Sequence, residues 1–243
     1  MSDRLDAFLT RAEVGPGIVP VTRQVVLDGD TPVTAFAKLH RGRYGFLLES
    51  LEGGERWARY TFLATDPREV WRYRGRRAER WTPGDGWQLV ADDIAPLDHL
   101  AGEMRRHAPV HVDGLPRFTG GAVGFIGYDV VRSIESLPDA PPDDRDIPDA
   151  VLMVTDTLLV LDNVFNRATV IASVEIGDDR SRVTLERRFA EAESRIDDWL
   201  GRLACPGPMP PLTLEPLPRP ATAAAYADDA FRAGVARIKE YIA

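Results

Sequence analysis

The chain has 243 residues and a net charge of -8, with 44% hydrophobic and 28% charged residues, a globular composition able to bury a sizeable core. An acidic chain lacks the basic surface that nucleic acid or an anionic membrane requires, and the arginines interleaved with aromatics in Trp71-Arg72-Tyr73-Arg74-Gly75-Arg76-Arg77 read as the wet face of a strand. The single cysteine, Cys205, leaves no internal disulfide; with no basic-then-apolar leader and no run near the ~18 apolar residues of a membrane span, a cytoplasmic protein is expected.

Residues Asp6 to Ala12 have the composition of a short helix, ended by Gly15-Pro16-Gly17. Ile18 to Leu27 is rich in β-branched residues and reads as a strand, with Pro20 placing its start on an edge. Thr31-Pro32 pairs a hydroxyl N-cap with a proline at the first helical position, where its missing N–H costs nothing. Val33, Phe36, Ala37 and His40 give that helix one apolar stripe, and Gly42 stops it.

A hairpin is predicted next, from Arg43-Tyr44-Gly45-Phe46-Leu47-Leu48-Glu49-Ser50 through Gly53-Gly54 to Arg59-Tyr60-Thr61-Phe62. A two-residue glycine turn sets Ser50 opposite Trp57, Leu48 opposite Arg59 and Phe46 opposite Thr61. Ser50, Arg59 and Thr61 then share a face with Phe46, Leu48 and Trp57, while Glu49 points the other way. Hydroxyl and guanidinium groups among apolar neighbours are what a small amphipathic ligand needs; a merely wet hairpin face is the alternative.

After Asp66-Pro67, short strands at Glu69 to Tyr73, Ala78 to Trp81 and Trp87 to Val90 suggest an antiparallel meander with its last turn at Pro83-Gly84-Asp85-Gly86. Leu97, Leu100, Ala101, Met104 and Ala108 recur at helical spacing, which predicts an amphipathic helix from Pro96 to Ala108. The glycines of Thr119-Gly120-Gly121-Ala122-Val123-Gly124-Phe125-Ile126-Gly127-Tyr128-Asp129 fit no phosphate-loop spacing. They read as a buried strand with close backbone approach, followed by a short helix from Tyr128-Asp129 through Ile134.

Leu137 to Asp149 is a solvated Pro/Asp-rich loop. Val151 to Val160 reads as one central strand, turned back by Asp162-Asn163-Val164-Phe165-Asn166-Arg167 into a strand from Ala168 to Val174. Leu185, Phe189, Ala192, Ile196, Trp199 and Leu203 predict a helix over Arg182 to Leu203, with Glu191 and Arg195 as an i, i+4 pair on its wet side. Seven prolines between Pro206 and Pro220 make a stiff connector. Phe231, Val235, Ile238 and Ile242 then form an apolar stripe that reaches Ala243 with no closing residue. The sequence therefore predicts a chain cut before the partner of this helix.

No catalytic constellation is legible. Of the four histidines, His40, His99, His107 and His111, the last two are separated by Pro109 and cannot share a helix face as metal ligands usually do. Cys205 has no nearby histidine to activate it, and Asp143-Asp144-Arg145-Asp146 lacks a calcium-loop pattern.

Four stretches together resemble the anthranilate synthase component I family: Leu47-Leu48-Glu49-Ser50, Arg59-Tyr60-Thr61-Phe62, Gly120 to Arg132, and Arg237-Ile238-Lys239-Glu240-Tyr241-Ile242. The resemblance implies a chorismate lyase that makes anthranilate and pyruvate with ammonia from a glutamine amidotransferase subunit (component II), uses Mg2+, and is inhibited by L-tryptophan. It further implies Ser50 as a tryptophan contact, with Leu48, Glu49, Arg59 and Thr61 as its neighbours; Thr61 stands where the family commonly has serine. Catalytic and magnesium residues are expected beyond this chain, so the fragment alone is expected to be inactive.

The expected architecture is α+β, with antiparallel sheets packed on one another and helices outside, as in that family. Residues 1–204 would be the N-terminal regulatory portion, with the tryptophan-site hairpin at 43–63; 205–221 the connector; and 222–243 the first helix of the catalytic portion. The alternatives are aminodeoxychorismate synthase component I, and a non-catalytic module that binds an amino acid or docks a subunit.

Overall fold

The computed structural model describes residues 2–15, 17–49, 59–106, 109–138, 142–207 and 227–242. The chain divides into two compact units, residues 1–209 and 210–243. The second contains one described helix, α5 (Asp228–Ile242), with no buried residue.

The described residues of the first unit form ten strands in two five-stranded antiparallel sheets. The first sheet has the order β1 (Gly17–Val25), β10 (Arg167–Ile176), β9 (Thr157–Asp162), β3 (Tyr60–Thr65), β2 (Gly45–Leu48). The second runs β6 (Gly86–Ala91), β5 (Arg77–Thr82), β4 (Glu69–Arg74), β8 (Ala150–Thr155), β7 (Gly121–Ile126). The helices are α1 (Ser2–Glu13), α2 (Pro32–Leu39), α3 (Pro96–Arg106) and α4 (Arg182–Ala204), with a 3-10 helix at Tyr128–Ser133. This is an α+β fold. The meander β4–β5–β6 and the edge position of β1, which carries Pro20, follow the sequence reading.

Alternation along the strands explains the layers, because successive side chains leave a strand on opposite faces. Helices α1, α2 and α4 pack on the first sheet and on one another, and α4 buries Leu185, Phe189, Ala192, Ile196, Trp199 and Leu203 against it. Val123 and Met153 of the second sheet join that same core. Their neighbours Ala122, Leu152 and Val154 belong to a separate core with Trp71, Tyr73 and, from α3, Leu100 and Met104. The second sheet thus has one face on the first sheet's core and the other under α3.

Five sequence expectations are corrected. The apolar run from Val151 to Val160 is two strands: β8 lies in the second sheet, β9 in the first, and Asp156 is the joint. The joint is polar and self-satisfied, with the Thr155 hydroxyl donating to Thr157 O (2.8 Å), Ser173 N to Asp156 O (2.5 Å) and the Ser173 hydroxyl to Thr119 O (2.8 Å). Periodicity carries no signal for a strand that changes sheets. The glycine-rich strand β7 does approach its neighbour closely, but it is an edge strand, and Phe125 and Ile126 are 45% and 52% exposed. Glu191 pairs with Arg187 (2.5 Å), whereas Arg195 reaches Ser173 O (3.1 Å). The first helix is longer than its apolar residues suggested, beginning at Ser2.

The fifth correction is the hairpin register. The observed pairs are Gly45↔Thr65, Phe46↔Ala64, Leu47↔Leu63 and Leu48↔Phe62, an odd shift from the register expected of a Gly53-Gly54 turn. An odd shift moves every side chain to the other face. Thr61 therefore shares parity with Leu63 and Thr65, opposite Phe46 and Leu48. This register sets Leu47 opposite buried Leu63, and buried Phe46 opposite buried Ala64. Ser50, the glycine turn and Trp57 lie outside the described residues.

Candidate functional site

The hairpin β2–β3 stands at the end of the first sheet and is backed by α2. That helix starts as its sequence demands, with the Thr31 hydroxyl accepting from Thr34 N (3.2 Å) and Thr34 Oγ1 accepting from Thr31 N (2.9 Å). Phe36 stacks on His40 at 4.9 Å, and His40 Nδ1 lies 3.2 Å from Thr65 Oγ1. A Cβ on Gly45 would come within 2.8 Å of His40 Nδ1 and 3.1 Å of Ala64 O, so glycine is what lets β2 lie this close.

On the other side of the hairpin the even-numbered residues make an aromatic wall. Phe62 meets Phe118 edge-on at 5.5 Å, Phe46 lies 6.5 Å from Phe118, and Tyr60 lies 6.0 Å from Phe62. Leu48, 46% exposed, forms its rim, and exposed Glu49 follows β2 directly. The space between Phe46, Ala64, Met153 and Thr155 is filled. The hairpin is a wall.

Arg59 and Thr61 are committed elsewhere. The Arg59 guanidinium donates to Asp162 from Nε (3.0 Å) and Nη2 (2.7 Å) and sits between the Tyr60 ring (4.7 Å) and the Phe165 ring (4.9 Å). Burial pushes the Asp162 carboxyl up, but hydrogen bonds from Arg59 and from the N–H groups of Phe165 and Val164 together hold it below its ordinary 3.8; the same pair raises Arg59. Thr61 is 2% exposed, and its hydroxyl accepts from Asn163 Nδ2 (3.3 Å). The structure brings Arg59 and Thr61 together with the β9–β10 turn and separates them from Leu48. In sequence Asp162, Asn163 and Phe165 are only turn residues, since no local signal links them to a strand so far away in the chain.

A second concavity, of about 710 Å³, lies where the 3-10 helix meets Gly75, Arg76 and the loop 142–149. Charges around it are paired: Arg132 with Asp129 (3.1 Å), Arg76 with Asp93 (2.5 Å) and the neighbouring Arg74 with Asp146 (2.6 Å). Among the described residues no three His, Cys, Asp or Glu side chains converge as metal ligands, and no helix is long and apolar enough to cross a membrane.

Residues 50–243 match the family model described as chorismate binding enzyme. The anthranilate synthase component 1 of Pseudomonas putida is 33% identical over 243 residues, covering 98% of this chain and 48% of that protein. That of Acetivibrio thermocellus is 34% identical over 180 residues, covering 74% of this chain and 35% of that protein. A crystal structure of anthranilate synthase component I from Streptococcus pneumoniae TIGR4 aligns over 71% of this chain and 36% of that one, with a TM-score of 0.42 and 26% identity. The chain spans about half the length, or less, of these relatives.

Proposed function

The chain belongs to the chorismate binding enzyme family, and from that premise we propose that it is the N-terminal portion of a cytoplasmic anthranilate synthase component I. The complete enzyme would convert chorismate, with ammonia delivered from glutamine by an amidotransferase subunit, into anthranilate and pyruvate. Its feedback inhibitor would be L-tryptophan. The observation that carries this reading is the 33% identity to anthranilate synthase component 1 of Pseudomonas putida across 98% of the chain.

Within this reading the hairpin 43–63 is one wall of the tryptophan site. Leu48 and the aromatic wall behind it offer an apolar surface to an indole, while the Glu49 carboxylate and the Ser50 hydroxyl are suited to an α-ammonium group. Arg59 and Thr61 hold the returning strand in place. An effector can bias an enzyme only by binding one arrangement better than another. A wall completed by residues beyond this chain supplies such a difference. Magnesium would help bind and polarise chorismate in the complete enzyme; the described residues offer it no ligand set, and nothing in this chain's role depends on it.

The test uses the polypeptide that carries this chain, with its amidotransferase subunit, chorismate, glutamine and Mg2+. Fluorescent anthranilate and pyruvate are expected, inhibited by tryptophan; aminodeoxychorismate as product would reject the assignment. Ser50→Phe should weaken tryptophan inhibition with turnover nearly intact, and unchanged inhibition would remove Ser50 from the site. Residues 1–243 alone should show no turnover. Calorimetry should find at most weak tryptophan binding to them, and tight binding would favour a self-sufficient amino-acid-binding module.

A further inference from the structure

The β9–β10 turn does more than reverse the chain. Strand β2 is the sheet's edge, so its ladder among the described residues runs to β3 alone, and the start of β3 is held by the end of β9. Three contacts converge there from the turn. Asn163 N donates to Arg59 O (2.8 Å), Asn163 Nδ2 donates to the Thr61 hydroxyl (3.3 Å), and the Asp162 carboxylate takes two hydrogen bonds from Arg59. Asp162 Oδ1 also accepts from Val164 N (3.1 Å) and Phe165 N (3.3 Å), so one carboxylate both shapes the turn and grips the hairpin. Phe165 folds back over the guanidinium it helps to place.

We propose that this turn is the anchor of the hairpin and that Asp162 is a positioning residue for the effector response. Arg59 directly precedes β3, so the clamp decides where that strand begins on the sheet. Releasing it would loosen β3 and, through the β2–β3 ladder, leave Leu48 and Glu49 no longer held at one distance from the rest of the site. The consequence for the effector rests on the reading of the hairpin as a tryptophan wall; the anchoring itself does not.

Asp162→Asn separates the two duties. The amide keeps one oxygen for the turn N–H groups but turns a donor toward the guanidinium. In hydrogen exchange on the 243-residue chain, amides of residues 45–49 and 59–63 should exchange about tenfold faster in D162N, the size of one charge-assisted hydrogen bond, with α4 unchanged. Unchanged exchange in the hairpin, or an equal rise in α4, overturns the anchor.

In the complete protein D162N should raise the tryptophan concentration for half-inhibition about tenfold on the same basis, with kcat and KM for chorismate unaltered. Equal inhibition of D162N and wild type overturns the positioning role. A wild-type enzyme indifferent to tryptophan removes the effector reading and with it the positioning role, while exchange still decides the anchor. Should D162N fail to fold, Phe165→Leu keeps the carboxylate and removes only the ring over Arg59. It should speed hairpin exchange about threefold, in line with one cation–π contact, and no change would count against the anchor.

Discussion

Replacing Gly124 with alanine should unseat the glycine-rich edge strand. Gly124 pairs with Leu152 in the β7–β8 ladder, and a Cβ there would run into Val151 O and lie 2.8 Å from Val151 C and 2.9 Å from Leu152 Cα. Ordinary carbon contacts are about 3.5–4.0 Å, so β7 must retreat by about 1 Å, and the obstructing atoms are backbone, which no rotamer change can move aside. Such overpacking costs about 1–3 kcal/mol. Stretching one or two ladder hydrogen bonds adds about 1 kcal/mol each. A total of about 3 kcal/mol in a unit of this size lowers the melting temperature by roughly 6–12 °C. Tryptophan fluorescence is a suitable probe, because all five tryptophans lie in residues 1–209. Gly29→Ala, where a Cβ meets nothing within 4 Å, is the matched control and should stay within ~0.5 kcal/mol of wild type. A G124A protein melting within ~2 °C of wild type would refute the close approach of β7 to β8.

Other outcomes test the helices and the electrostatics. Ile196→Ala empties a fully buried position on α4 (0% exposed) and should cost about 2–5 kcal/mol in urea unfolding. Thr31→Ala removes the α2 cap and should cost about 1 kcal/mol, while Thr31→Ser, which keeps the hydroxyl, should restore most of it. The Asp179 carboxyl is held at about 2 by the Thr184 hydroxyl and then by Ser181. A depressed carboxyl stabilises the fold above its ordinary 3.8 and loses that contribution as pH falls toward about 2. Carbon-13 titration should place Asp179 near 2 in wild type and move it upward in Thr184→Val; identical titrations would show that Thr184 does not hold it.

Much of the fold was legible because its signals are local. The spacing of Leu185, Phe189, Ala192, Ile196, Trp199 and Leu203 defines α4 to within a residue at its C-terminal end. The Thr31-Pro32 start of α2 holds because cap and helix lie within one turn. The site was legible only in part. Leu48 and Glu49 stand at the exposed end of β2, and Phe118 of the aromatic wall had no marker beyond being apolar.

What sequence by itself determined is whatever a few neighbouring residues decide: where helices start, which strands exist, where the chain turns, and which family its motifs resemble. Tertiary structure alone decided the register of the hairpin, which sets Phe46 opposite Ala64 and Leu47 opposite Leu63 in the core. It alone split one apolar run between two sheets at Asp156. It alone gave Arg59 its partner, 103 residues away. Each of these depends on contacts between segments distant in the chain, whose free energy no window of sequence contains.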